Sequence, residues 1–160
     1  MTPINILATI DANYLVPLKV MLKSMFINNP EERFRVYLMH SRLDPGHVED
    51  MSGFAERNGH LLVEVKIGDD CFSDAPVVKH YTKEMYYRLL AFRHLPQDLD
   101  RILYLDPDIL VINPIRGLYE TDLSGWLFAA AYHDIIFARE INRLRFGSII
   151  SKHITIQASC

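Results

Sequence analysis

The chain contains only two cysteines, Cys71 and Cys160, and they form neither a C-x-x-C nor a zinc-finger spacing. That excludes a disulfide framework and points to reduced thiols, as in a cytoplasmic protein. Lys and Arg do not cluster and the formal net charge is −3, which excludes nucleic acid and anionic membrane as main partners. No apolar run approaches the roughly 20 residues of a transmembrane helix, and the N-terminus enters an apolar strand without a charged leader region. G-x-G-x-x-G and P-loop patterns are both missing. A phosphate-bearing ligand must therefore be held by side chains and metal rather than by a glycine-rich turn.

What is present is an ordinary globular composition, 49% hydrophobic over 160 residues, enough for one packed core. Its most apolar stretch is Ile102-Leu103-Tyr104-Leu105-Asp106-Pro107-Asp108-Ile109-Leu110-Val111. Arg101 to Leu105 reads as a central strand buried on both faces, followed by the Asp106/Asp108 turn and Ile109 to Ile112, and such a strand belongs to a helix-covered α/β sheet. In extended backbone Asp106 and Asp108 point to one side and Pro107 to the other, and proline cannot donate to a sheet ladder. Two carboxylates at the edge of a core call for a positive partner, and a hard divalent cation with oxygen ligands supplies one. The competing reading is an ordinary Asp-Pro turn. Ligands of open α/β sheets gather at the carboxyl ends of the strands, and this favours the metal.

Ahead of that run the pattern alternates between strand and helix. Ile4 to Ile10 reads as a strand. Leu15, Leu18, Leu22, Met25 and Phe26 then recur at helical spacing, with Asn13 as the N-cap and Pro17 in the first turn. Asp11, Asn13 and Tyr14 thus fall on a strand-to-helix turn, where Asn13 has capping and Tyr14 partial burial as alternative roles. Phe34 to Met39 is a second strand, followed by a helix capped at Asp44-Pro45 with Val48, Met51, Phe54 and Ala55 as its apolar stripe. Leu61 to Ile67 is a third. Beyond a loop from Gly68 to Pro76, Thr82 opens a helix with Met85, Tyr86, Leu89, Leu90 and Arg93 on one face and Tyr87 and Arg88 elsewhere. Arg88 suits either a phosphate or sugar clamp or a surface ion pair. Pro114 to Tyr119 is a turn or short helix, Phe128 to Tyr132 a strand ending at His133-Asp134, and Ile136 to Phe146 a mixed helical pattern. A lone histidine is more often a satisfied polar group, so His133 is left out of the site.

Four segments in this order and spacing carry a family resemblance: Ala8-Thr9-Ile10-Asp11-Ala12-Asn13-Tyr14, Met85-Tyr86-Tyr87-Arg88-Leu89, the Leu103 to Val111 run, and Tyr119-Glu120-Thr121-Asp122-Leu123. From Asn5 to about Gly147 the chain resembles the N-terminal, nucleotide-sugar-binding half of glycosyltransferase family 8. These are retaining galactosyl- and glucosyltransferases that include bacterial lipopolysaccharide sugar transferases. The resemblance implies a GT-A fold and Mn²⁺, or Mg²⁺, held by Asp106 and Asp108. It implies a UDP-galactose or UDP-glucose donor and a saccharide or lipid-saccharide acceptor. Donor contacts would come from Ala8, Asp11, Asn13, Tyr14 (stacked on uracil), Arg88, Asp106 and Asp108, with Arg88 and Asp134 nearest the reacting sugar. Many members carry a second acidic residue where this chain has Ala12.

The expected organisation is an incomplete nucleotide-sugar-binding domain over residues 1–147 and a divergent tail over 148–160. The family continues with an Asn-Ser-Gly-Val-Leu segment and a late His-x-x-Gly-x-x-Lys-Pro-Trp that supplies a third metal ligand, and neither follows Gly147 here. Suitable codons for Ile154 to Cys160, read in a shifted frame, encode Tyr-Asn-Ser-Gly-Val-Leu. A frameshift shortly after Gly147 is therefore expected in the gene or its sequencing. Two other functions fit the same aspartates: a non-catalytic UDP-binding remnant, and a Mg²⁺-dependent phosphohydrolase of the haloacid dehalogenase type.

Overall fold

A computed structural model of the chain describes residues 2–68, 87, 91–126 and 129–130. Met1–Glu120 forms one compact unit, and the second begins at Thr121. The first unit opens with β1 (Ile4–Thr9), a single 3-10 turn (Ala12–Tyr14) and α1 (Leu15–Asn28). It continues through β2 (Phe34–His40), α2 (Pro45–Arg57), β3 (Leu61–Lys66), β4 (Leu103–Tyr104) and α3 (Arg116–Tyr119).

Among the described residues the strands form one parallel sheet in the order β3-β2-β1-β4. The alternation of the strands separates two cores. Ile4, Ile6, Ala8 and Ile10 of β1 and its exit, with Phe34, Val36 and Leu38 of β2, face Leu18, Met21, Leu22, Met25 and Phe26 of α1 and Met51 and Ala55 of α2. On the opposite face Leu7, Tyr37, Met39, Val65 and Ile67 pack with Tyr87, Ala91 and Leu95. Both faces are therefore apolar and covered, as the near-continuous hydrophobic strands require.

The helix ends follow local chemistry. Asp44 Oδ1 accepts from Gly46 N–H at 2.8 Å and Pro45 occupies the first helical position of α2. At its other end Gly59, at φ +81°, lets Gly59 N–H reach Glu56 O (2.9 Å) and His60 N–H reach Ala55 O (3.0 Å). That pair of bonds is a Schellman closure, which a left-handed glycine makes accessible.

Two expectations are corrected. The expected strand Arg101–Leu105, buried on both faces, is reduced to β4, whose two residues are half-buried and pair with β1 at an end of the described sheet, while the turn expected at Asp106/Asp108 is present. Pro107 and Asp108 form a turn, after which Leu110 and Ile112 are exposed and Val111 alone of residues 109–112 is buried. The main chain of this return segment bonds to side chains of α1 and its C-cap. Val111 N–H donates to Ser24 Oγ (3.0 Å), Asn28 Nδ2 donates to Val111 O (2.9 Å), and Ile115 N–H donates to Asn29 Oδ1 (2.8 Å). Secondly, among the described residues near position 90 Tyr87, Ala91 and Leu95 are buried and Arg93 is exposed, so Arg93 is not on the buried face and Tyr87 is. Met85, Tyr86, Leu89 and Leu90 lie outside the described residues, as do the Thr82 cap, most of the expected Phe128–Tyr132 strand and the Ile136–Phe146 pattern.

Candidate active site

The strand order reverses at β1. From β1 the chain steps to β2 and then β3 on one side, and returns through β4 on the other. The carboxyl ends of β1 and β4 consequently flank a topological switch point, the crevice where open α/β sheets receive ligands.

The β1 exit carries the first group of candidate residues. Asp11 is extended at φ −101°, ψ −177°, and its Oδ1 accepts from Asn13 N–H at 2.8 Å. Its Oδ2 lies 3.3 Å from Asn13 Nδ2. The cap of this turn is therefore Asp11, not Asn13, which sits inside the 3-10 turn with its side chain at the surface. Tyr14 precedes α1 and is 41% exposed, leaving a ring face open. Ala8 is fully buried in the core facing α1 and α2, so any ligand contact from it would come through its main chain.

The β4 exit carries the carboxylates. Leu105 N–H bonds Leu7 O at 3.0 Å, which extends the β1–β4 ladder to the residue before Asp106. Asp106 and Asp108 are exposed on either side of buried Pro107. Pro107 brings no donor, so the ladder ends here and the carboxylates are delivered to solvent at the sheet edge. Tyr104 O–H donates to Asp106 Oδ1 at 2.8 Å, and Thr9 Oγ1 lies 3.4 Å from the Tyr104 oxygen. These two hydroxyls were not among the expected site residues. The i, i+2 alternation that put Asp106 at the sheet edge also puts Tyr104 on its side, and that signal was available in the sequence.

Asp106 and Asp108 offer hard, anionic oxygens suited to Mn²⁺ or Mg²⁺. Among the described residues no cluster of three or more His, Cys, Asp or Glu is placed to hold a metal ion. Two carboxylates leave most of a hard cation's coordination sphere to other oxygen donors, which suits a cation shared with a diphosphate. Arg88 and Asp134 lie outside the described residues.

Cavities of about 230 and 440 Å³ lie elsewhere, the first between the C-terminal parts of α1 and α2 at Phe26, Asn58 and His60, the second along β3 at Val63 to Lys66. Neither has a lining residue from the switch-point turns, and we assign the site on topology and chemistry rather than on concavity. No helix among the described residues is long and apolar enough to cross a membrane.

Comparisons with known proteins agree with this geometry. The chain is 30% identical over 132 residues to a lipopolysaccharide 1,2-glucosyltransferase of Escherichia coli K12, covering 82% of this chain and 39% of that protein. It is 28% identical over 144 residues to the glycosyltransferase GlyF of Streptococcus pneumoniae, covering 90% of this chain and 35% of the relative. The chain thus spans little more than a third of the length of these curated relatives. In structure it resembles the galactosyltransferase LgtC, solved in complex with donor and acceptor sugar analogues, with a TM-score of 0.77 at 23% identity over 90% of this chain and 52% of that one. The fold is therefore GT-A. The sequence profile described as glycosyl transferase family 8 matches residues 5–155, nearly the whole chain, and the chain belongs to that family.

Proposed function

We propose that the chain is the donor-binding part of a retaining hexosyltransferase that takes UDP-galactose or UDP-glucose and serves a saccharide or lipid-saccharide acceptor. The observation that carries this reading is the placing of two turns, Asp11–Tyr14 and Asp106–Asp108, at the switch point between β1 and β4. Family membership supports it, and sets aside the phosphohydrolase reading of the same aspartates. Tyr14 would offer its open ring to the uracil, and Asp11 and Asn13, preorganised by their mutual hydrogen bonds, would read the nucleoside. Asp106 and Asp108 would hold Mn²⁺, which when bound neutralises charge on the departing diphosphate. Arg88 and Asp134 are proposed to contact the transferring sugar. We place the protein in the cytoplasm, where its two unpaired-spacing cysteines stay reduced.

A second reading of the same two turns is a nucleotide-binding piece without transferase activity. Calorimetric titration of the 160-residue chain with UDP, with and without Mn²⁺, tests the donor site. Weak binding strengthened by Mn²⁺ is expected, and Asp108→Asn should lose the strengthening. If Asp108→Asn binds UDP with unchanged manganese dependence, the metal assignment is wrong. A UDP-hexose hydrolysis assay on the same sample separates an active site from a binding piece.

A further inference from the structure

We propose that Tyr104 is a positioning residue for the metal-binding carboxylate of Asp106, and that Thr9 holds Tyr104 in that role. The inference rests on the donor-site reading above. Tyr104 O–H donates to Asp106 Oδ1 at 2.8 Å, and Thr9 Oγ1 lies 3.4 Å from the same phenolic oxygen. A phenol has one proton to give. Because the short bond commits that proton to the carboxylate, Thr9 must be the donor in the longer contact. The hydroxyl chain therefore runs from Thr9 through Tyr104 to Asp106, and each donor polarises the next.

The sheet register sets this chain in place. Leu7 pairs with Tyr104 across the β1–β4 ladder, and Leu105 N–H continues the pairing to Leu7 O. One step further along each strand, Thr9 and Asp106 fall on the face that carries Tyr104. Thr9 is buried and Tyr104 is half-buried, so neither hydroxyl is free to wander. Asp106 by contrast is exposed, and the outer torsion of an aspartate is broad. A bond to one oxygen restricts that torsion before any cation arrives. Thr9 also lies two residues before Asp11, so the same hydroxyls tie the nucleoside turn to the metal turn.

The test is Mn²⁺ affinity in the presence of UDP, read by electron paramagnetic resonance on the 160-residue chain. It compares wild type, Tyr104→Phe, Thr9→Val, Asp108→Asn and Val63→Ala. Tyr104→Phe keeps the ring and removes only the hydroxyl, and it should weaken Mn²⁺ binding about tenfold, as loss of a hydrogen bond to a metal ligand does. Thr9→Val should weaken it less, because the 3.4 Å contact is long for a hydroxyl pair. Val63→Ala trims the same apolar cluster at the opposite end of the described sheet from Tyr104; it should lower Tm and leave Mn²⁺ affinity alone. Wild-type affinity in Tyr104→Phe overturns the inference, while the donor-site reading stands if Asp108→Asn still loses the ion. Equal weakening in Val63→Ala assigns the effect to general stability and also overturns it. A wild-type chain that binds no Mn²⁺ overturns the donor-site reading, and this inference with it.

Discussion

Tyr14 and Asp11 are held by one turn in the arrangement the proposed donor site would use. Asp11 uses its carboxylate to close the turn on Asn13 N–H, and Tyr14 follows at the head of α1 as a residue 41% exposed. In the proposed donor site an exposed aromatic beside this turn would contribute by stacking, an interaction of about 1–3 kcal/mol per base. Tyr14→Ala should therefore weaken UDP binding about tenfold or more, and Tyr14→Phe should retain most of it. Calorimetric titration checks both, and unchanged affinity in Tyr14→Ala would remove Tyr14 from the site. That Asp11 and Tyr14 belong to one turn was legible in the sequence, because a strand period gives way there to a helix period. Which of Asp11 and Asn13 caps the turn was not. Both residue types cap helices, and the choice depends on the three-residue 3-10 turn that precedes α1.

The elements are held by side chains that no hydrophobic period reveals. The return segment after Pro107 forms no strand; its main chain is satisfied by Ser24, Asn28 and Asn29, three polar residues at the C-terminal end of α1. Asn29 is 3% exposed and accepts from Ile115 N–H, so Asn29→Ala leaves a buried donor unpaired and should cost about 1–3 kcal/mol in urea unfolding. Substitution at Gly59 tests the other end of the logic. At φ +81° a side chain is strained, and Gly59→Ala should cost about 1–2 kcal/mol even though the nearest atom to the new methyl, Arg33 Nη1, lies at an ordinary 3.6 Å. A neutral result in the same denaturation assay would show that the α2–β3 turn relaxes to another closure. The sequence supported a strand up to Leu105 and a turn at Asp106/Asp108, because proline at 107 cannot continue the ladder.

Across the whole molecule, polar groups buried next to the sheet tie stability to pH. Burial pushes the His40 imidazole below its ordinary value near 6.5 against the opposing pull of Glu64, and burial with the nearby Arg33 does the same to His60. Each accepts a backbone N–H on Nδ1, from Leu43 at 3.2 Å and from Phe34 at 3.3 Å, and protonation would abolish both bonds. The folded state thus binds these protons more weakly than the unfolded chain. Stability is full above pH 6.5 and declines as pH falls below it, where the unfolded state takes up more protons. Glu32 adds a loss at lower pH. Its hydrogen-bonded pairing with Arg116 lowers its carboxyl below 4.5, so its contribution is present above that value and disappears as the pH falls through the depressed folded value. Thermal unfolding followed from about pH 7.5 to about pH 4 should show Tm falling in both ranges. A flat profile just below pH 6.5 counts against a neutral, buried His40 and a neutral, half-buried His60.

The chain's own order of residues determined the alternation of strands and helices, the caps at Asp44-Pro45, and the position of the aspartate pair at the end of an apolar run. Those are local matters: periodicity, capping and the missing donor of proline act within a few residues of one another. The tertiary structure decided that β4 returns beside β1, and it is this reversal that sets Asp106 across the crevice from Asp11, about a hundred residues earlier. It also decided that Thr9 and Tyr104 meet, through a ladder register that neither strand specifies alone. Strand neighbours are chosen by which faces can be buried together, a choice made over the whole sheet. No window of sequence contains it.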